Sequence, residues 1–100
     1  MKNKITVLIA DDNADFANNL TECLENQEDM EVIAVAKDGK EAVEMIKNKN
    51  PDVVLLDVIM PHLDGLGVLE ELNSIRLEKV PLCIMLSAVG QDKITQKAIS

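Results

Sequence analysis

The sequence predicts an α/β domain, a parallel sheet with helices on both faces, and three observations carry that expectation. Short apolar, β-branched runs alternate with segments of helical periodicity along all 100 residues. Strands separated by helices need crossover connections, which are right-handed and place helices against the sheet. The runs also end, on their C-terminal side, in acidic or polar residues. The third observation is the stretch Asp52-Val-Val-Leu-Leu-Asp57-Val-Ile-Met-Pro61, an unbroken apolar run of strand length that ends in a carboxylate and is stopped by proline. Such a run suits a strand buried on both faces. It delivers Asp57 to the edge of the sheet where open α/β proteins bind ligands.

The elements follow in order. Ile5 to Ala10 is a first strand, leading through Asp11-Asp12 to Asn13, a good N-cap for a helix from about Ala14 to Asn26. In that helix Phe16, Leu20, Cys23, Leu24 and Gln27 occupy the i, i+4, i+7, i+8 and i+11 positions of one face, so all but the last predict a buried stripe. Glu31 to Ala36 is a second strand. Asp38-Gly39-Lys40-Glu41 has the spacing of a capping box, opening a second helix that buries Ala42, Val43 and Ile46 and ends near Asn50-Pro51. The third strand ends at Asp57. His62-Leu63-Asp64-Gly65 reads as a loop, with Asp64 a turn or capping residue and His62 solvent-exposed and inert. Leu66, Leu69, Leu72 and Asn73, with Val68 and Ile75 beside them, give a third helix, Leu82 to Leu86 a fourth strand, and Gly90 leads into a fourth helix with Ile94 and Ala98 on its inner face.

Composition narrows the function. The chain has 47% hydrophobic residues and a single aromatic, Phe16, so its core must be aliphatic. A formal charge of −8 argues against direct binding of nucleic acid or an anionic membrane, which need clustered Lys and Arg. It favours a bound cation or a partner with a basic face. The acidic stretch Glu22, Glu25, Glu28, Asp29 and Glu31 reads as solvated, or as a rim for such a partner. Cys23 and Cys83 lack metal-site spacing and read as buried thiols in a reducing cytosol. No apolar run reaches the roughly 18 residues of a membrane span, and Met1-Lys-Asn-Lys4 leads directly into a strand, so a cytoplasmic location is expected.

Asp11, Asp12, Asp57 and Ser87 each stand just past the apolar part of a strand, on the same edge of a parallel sheet. If strands one, three and four are neighbours, three carboxylates share one pocket, and like charges there oppose one another's ionisation. A divalent cation removes the conflict. Oxygen-only ligands select a hard ion such as Mg2+. Asp12 and Asp57 are the expected direct ligands, the Ile59 carbonyl a third, and Asp11 acts mainly through water. With its charge screened, the Asp57 carboxylate can attack an incoming phosphoryl group. Ser87 would donate a hydrogen bond to the phosphoryl oxygens, and the small Ala88 leaves the approach open.

Asp11-Asp12, Asp57 with Met60-Pro61 and Asp64-Gly65, and Leu86-Ser87-Ala88 together resemble the response-regulator receiver family, across the whole chain. The longer strings Ala10-Asp11-Asp12-Asn13, Val58 to Gly67 and Leu86 to Asp92 resemble, more narrowly, the branch that governs entry into sporulation in spore-forming bacteria. The resemblance implies a flavodoxin-like, three-layer fold with strand order 2-1-3-4. It implies a phospho-acceptor rather than an enzyme, fed by a histidine phosphotransferase or sensor kinase, with a DNA-binding domain downstream. Residues 1–100 then form a receiver without the family's fifth strand and helix, its lysine-proline pair or its aromatic switch residue; Lys93 and Lys97 fall on the predicted fourth helix instead. A chain of this length is expected to be marginally stable, or to cover the edge of strand four by dimerising or swapping a segment.

Two rival functions use similar residues. A magnesium-dependent phosphohydrolase with an aspartyl nucleophile usually carries a second acid two residues further on, to protonate the leaving group. Here those positions hold Ile59, after Asp57, and Ala14, after Asp12. An inert flavodoxin-like binding module would show no response to magnesium.

Overall fold

The computed structural model describes residues 4–58, 60 and 62–86. Among the described residues four strands and three helices alternate: β1 (Ile5–Ala10), α1 (Ala14–Glu25), β2 (Met30–Ala36), α2 (Gly39–Lys49), β3 (Val53–Asp57), α3 (Gly65–Ser74) and β4 (Leu82–Leu86). All strand pairs are parallel, and the sheet order is β2-β1-β3-β4, the flavodoxin-like arrangement. The helix expected after Gly90 lies outside the described residues.

The period-2 alternation of β1 and β3 sorts their side chains into two cores. Leu8, Ala10, Val54 and Leu56 point to one face, where Ala42, Val43 and Ile46 of α2 and Val68 and Leu72 of α3 cover them. Val7 and Ile9, with Val53 and Leu55, face Ala17, Leu20 and Leu24 of α1. The sheet is therefore the middle of three layers. β3 is less uniformly enclosed than its apolar run suggests. Val54 and Leu56 are fully buried, whereas Val53 and Leu55 on the α1 side are only half-buried.

Each helix starts on the side chain its sequence offers. Asn13 accepts a hydrogen bond from the Phe16 amide (3.1 Å), Asp38 from the Glu41 amide (2.8 Å) and Asp64 from the Gly67 amide (2.8 Å). The capping box of α2 is real but shifted by one residue on its return arm. Glu41 accepts from the Lys37 amide (2.7 Å) rather than from that of the cap itself. Asn50 ends α2 in the left-handed region (φ 49°), and Pro51 prevents continuation.

Two expectations for α1 are corrected. Its buried stripe runs through Ala17, Leu20 and Leu24, so Phe16 and Cys23 lie one residue, about 100° of helical turn, outside it and are exposed. The small Ala17, 1% exposed, lets the helix approach the sheet closely, which a Phe16-centred face would not allow. Cys83 is half-buried, and burial pushes its thiol pKa up.

The N-terminal edge of the sheet is tied by Asp52. Its Oδ2 accepts from the Thr6 amide (2.8 Å) and hydroxyl (3.0 Å), its own amide donates to the Thr6 carbonyl (3.0 Å), and its carboxylate pairs with Lys79. Those contacts pin the starts of β1 and β3 and the α3–β4 loop together, and they fix the register that aligns the opposite edge.

Candidate functional site

Register decides what meets at the C-terminal edge. Ala10, the last residue of β1, pairs with Leu56, so Asp11 and Asp12 leave the sheet beside Asp57, the last residue of β3. One carboxylate oxygen from each of Asp11, Asp12 and Asp57 lies within 4.8 Å of the others. Asp11 is buried, Asp57 half-buried and Asp12 exposed, so the cluster opens to solvent through Asp12.

Asp11 is held from both ends of its residue. Its amide donates to the Ala36 carbonyl (3.0 Å), and its Oδ1 accepts from the Asn13 amide (2.8 Å). Burial pushes its pKa above the usual carboxylate value, and the neighbouring charge of Asp12 adds to that push. The Asn13 amide and a hydrogen bond with Asp57 work against it. A carboxylate whose ionisation is opposed by burial and by a neighbouring charge marks a candidate functional site, and a bound cation would relieve both.

The donor set fits Mg2+. All three side chains offer carboxylate oxygens and none offers nitrogen or sulfur, the preference of a hard ion. Opposed ligands of an octahedral Mg2+ stand about 4.2 Å apart at its 2.0–2.1 Å bond length. The three carboxylate oxygens lie within 4.8 Å of one another, close to that separation, so the acids can share one such ion with water completing the shell.

The β3–α3 loop frames the other side. Val58 donates to the Leu86 carbonyl (3.2 Å), and its own carbonyl accepts from the Gly65 amide (3.0 Å), so the start of α3 is drawn back onto the end of β3. Only glycine fits at residue 65. A Cβ there would stand 2.6 Å from the Asp57 carbonyl oxygen and collide with the Met85 methyl group. Met60 is buried in the core, which anchors the loop's middle.

This chain matches the response regulator receiver domain over residues 7–100. It belongs to the receiver family. Among solved structures, it is 32% identical to the signal receiver domain of the putative response regulator NarL from Mycobacterium tuberculosis, with a TM-score of 0.80, over 89% of this chain and 70% of that one. It is 35% identical to the response regulator domain of Thermotoga maritima CheB, with a TM-score of 0.77, over 94% and 68% of the two chains. It is 36% identical to a chain of the CheX–CheY–BeF3–Mg2+ complex from Borrelia burgdorferi, with a TM-score of 0.68, over 87% and 64%.

Of the receiver's expected site residues, the fold brings together Asp11, Asp12 and Asp57. Ser87, Ala88 and Ile59 lie outside the described residues. The last described residue of β4, Leu86, pairs with Asp57, so the strand arrives beside the acidic cluster. His62 is exposed, as expected, but it is not isolated. It adopts a left-handed backbone (φ 70°), and its Nδ1 stands 3.8 Å from Asp38 Oδ2. The sequence also marked neither Gly65 nor Gly39 as a site residue, because the demand for a missing side chain comes from neighbours distant in the chain.

Proposed function

We propose that this receiver accepts a phosphoryl group on Asp57, with Mg2+ beside it. Asp12 and Asp57 would hold the ion directly, with the Ile59 carbonyl, and Asp11 through water. When bound, the ion screens the carboxylates and the phosphoryl oxygens from one another. An Asp57 carboxylate oxygen attacks phosphorus while the bond from phosphorus to the donor nitrogen breaks, and the departing imidazole of a histidine phosphotransferase or sensor kinase takes up a proton. The Ser87 hydroxyl donates to a phosphoryl oxygen, and Ala88 keeps the approach open. The chain acts as a phospho-acceptor and catalyses no turnover of a free substrate.

The observation that carries this proposal is the convergence of three strand-end carboxylates within 4.8 Å. The similarity to a chain of the Borrelia complex, which contains BeF3 and Mg2+ together with CheX, supports a divalent cation and a protein partner here. Among the described residues no helix is long and apolar enough to cross a membrane. A cytoplasmic setting accords with this.

The finer identity rests on the strings around Asp12, Asp57 and Leu86. They resemble the stage zero sporulation master regulator of spore-forming bacteria, so the proposed output is control of a downstream DNA-binding domain at the start of sporulation. This chain, at −8, would not itself contact DNA. β4 is the edge of the described sheet, and Leu82 is 56% exposed, which leaves room for a dimer or a segment swap through that edge.

The test is incubation of the protein with a small phosphoramidate, with and without Mg2+. Hydroxylamine-sensitive phosphorylation that requires the metal and vanishes in Asp57→Asn is expected. Full labelling of that variant, or labelling indifferent to Mg2+, would remove the basis for the assignment.

A further inference from the structure

The β3–α3 loop meets α2 at a contact that the phosphoryl chemistry leaves unexplained. A Cβ placed on Gly39, the first residue of α2, would overlap the Leu63 carbonyl oxygen and stand 2.6 Å from the Leu63 carbonyl carbon and 2.7 Å from its Cβ. Real Cβ atoms do not come this close to a backbone, so the loop rests directly on the Gly39 Cα. From the other side, a Cβ on Gly67 would stand 2.5 Å from Leu63 Cδ1 and 3.1 Å from its Cγ. Leu63 is therefore seated between two glycines, one on α2 and one on α3. His62, the preceding described residue, lies 3.8 Å from Asp38, the side chain that caps α2. Downstream of the seat, Gly65 bears on the Asp57 carbonyl oxygen.

We propose that the first turn of α2 sets the position of the β3–α3 loop, and through it of the Asp57 carboxylate, with Gly39 as a positioning residue for the metal and phosphoryl site. This inference rests on the proposed function of the acidic cluster. Its physical basis is that Gly39 and Leu63 are in backbone contact across two different βα units. A side chain at residue 39 must lift the loop, because the first turn of α2 is already fixed by the Asp38 and Glu41 caps. Lifting Leu63 moves Gly65, two residues further on, which bears on the Asp57 carbonyl oxygen and donates to the Val58 carbonyl. The same contact lets any shift of the loop on phosphorylation reach α2.

The experiment compares amide NMR spectra of the metal-free protein with those of Gly39→Ala, then titrates each with Mg2+ alone. Shifts at Val58, Asp64 and Gly65 and about tenfold weaker Mg2+ binding are expected, the usual scale for disturbing the support of a metal ligand. Leu63→Gly empties the seat without overpacking, is expected to weaken Mg2+ similarly, and decides the matter if Gly39→Ala does not fold. Ile46→Val, a loss of buried volume further along α2, serves as the control for general destabilisation and should leave Mg2+ binding unchanged. Three results would overturn the proposal: shifts confined to α2 and Leu63, affinity within twofold of the parent in both variants, or an equal loss in Ile46→Val. A parent that binds no Mg2+ would instead refute the proposed function, and the metal-free spectra would still decide whether α2 positions the loop.

Discussion

Neutralising Asp11 should make the metal-free protein more stable and less able to respond to magnesium. The three carboxylates lie within 4.8 Å of one another. At 4.8 Å, the outer limit of the separations, one pair of charges costs about 3.5 kcal/mol at an effective dielectric of 20 and about 1 kcal/mol in bulk water. Asp12 is exposed, so its pair with Asp11 sits near the lower figure; burial of the Asp11 charge adds to that cost, and the hydrogen bond with Asp57 offsets part of it. Asp11→Asn keeps an oxygen to accept from the Asn13 amide (2.8 Å), removes the charge and leaves an amide that can donate to Asp57. Stabilisation on the order of 2 kcal/mol is therefore expected at neutral pH without metal. The pH dependence has a definite sign. The folded pKa of Asp11 is raised, so stability is greatest below the unfolded value and falls as pH rises from about 4 through the folded value. Asp11→Asn should lack that fall. Mg2+ at 100 times its dissociation constant should restore about 2.7 kcal/mol to the parent, and much less to the variant at the same concentration. Urea denaturation at several pH values, with and without Mg2+, reads all of these. A metal-free Asp11→Asn less stable than its parent would refute the charge-crowding argument.

At the opposite edge, pairing with Lys79 and then the Thr6 amide hold the Asp52 pKa down, to about 2. Because that lies below the unfolded value, its contribution is present above about pH 4 and is lost as pH falls through about 2. Lys79→Met should weaken this part of the acid-unfolding profile, and high salt should mimic it. Leu56→Ala, at a fully buried site one residue before Asp57, should cost about 2–5 kcal/mol in urea titrations. Cys23 is exposed and Cys83 half-buried, so one thiol should react rapidly with a polar disulfide reagent in the native state. Peptide mapping should place that label on Cys23.

The sheet and its acidic edge were legible because both are written in local pattern. β-branched runs marked the strands, Asn13, Asp38 and Asp64 marked the helix starts, and the polar residue after each run marked the edge where the site forms. The face of α1 was misread because Phe16, Leu20, Cys23 and Leu24 form an apolar stripe as regular as the one actually buried. What selects the neighbouring stripe is the close approach allowed by Ala17, a property of the packed helix and sheet rather than of the helix alone. Gly39, Gly65 and the Thr6–Asp52–Lys79 tie escaped for a related reason. Each is defined by a contact across tens of residues, and no spacing within one element announces it.

The most direct measurement of the central claim is to locate the phosphoryl group. Phosphorylated protein is reduced with borohydride, which converts an acylated aspartate to homoserine, and its peptides are sequenced by mass spectrometry. Conversion at residue 57 alone, dependent on Mg2+, is expected. Conversion at Asp11 or Asp12 with Asp57 intact would contradict the assignment of the acceptor.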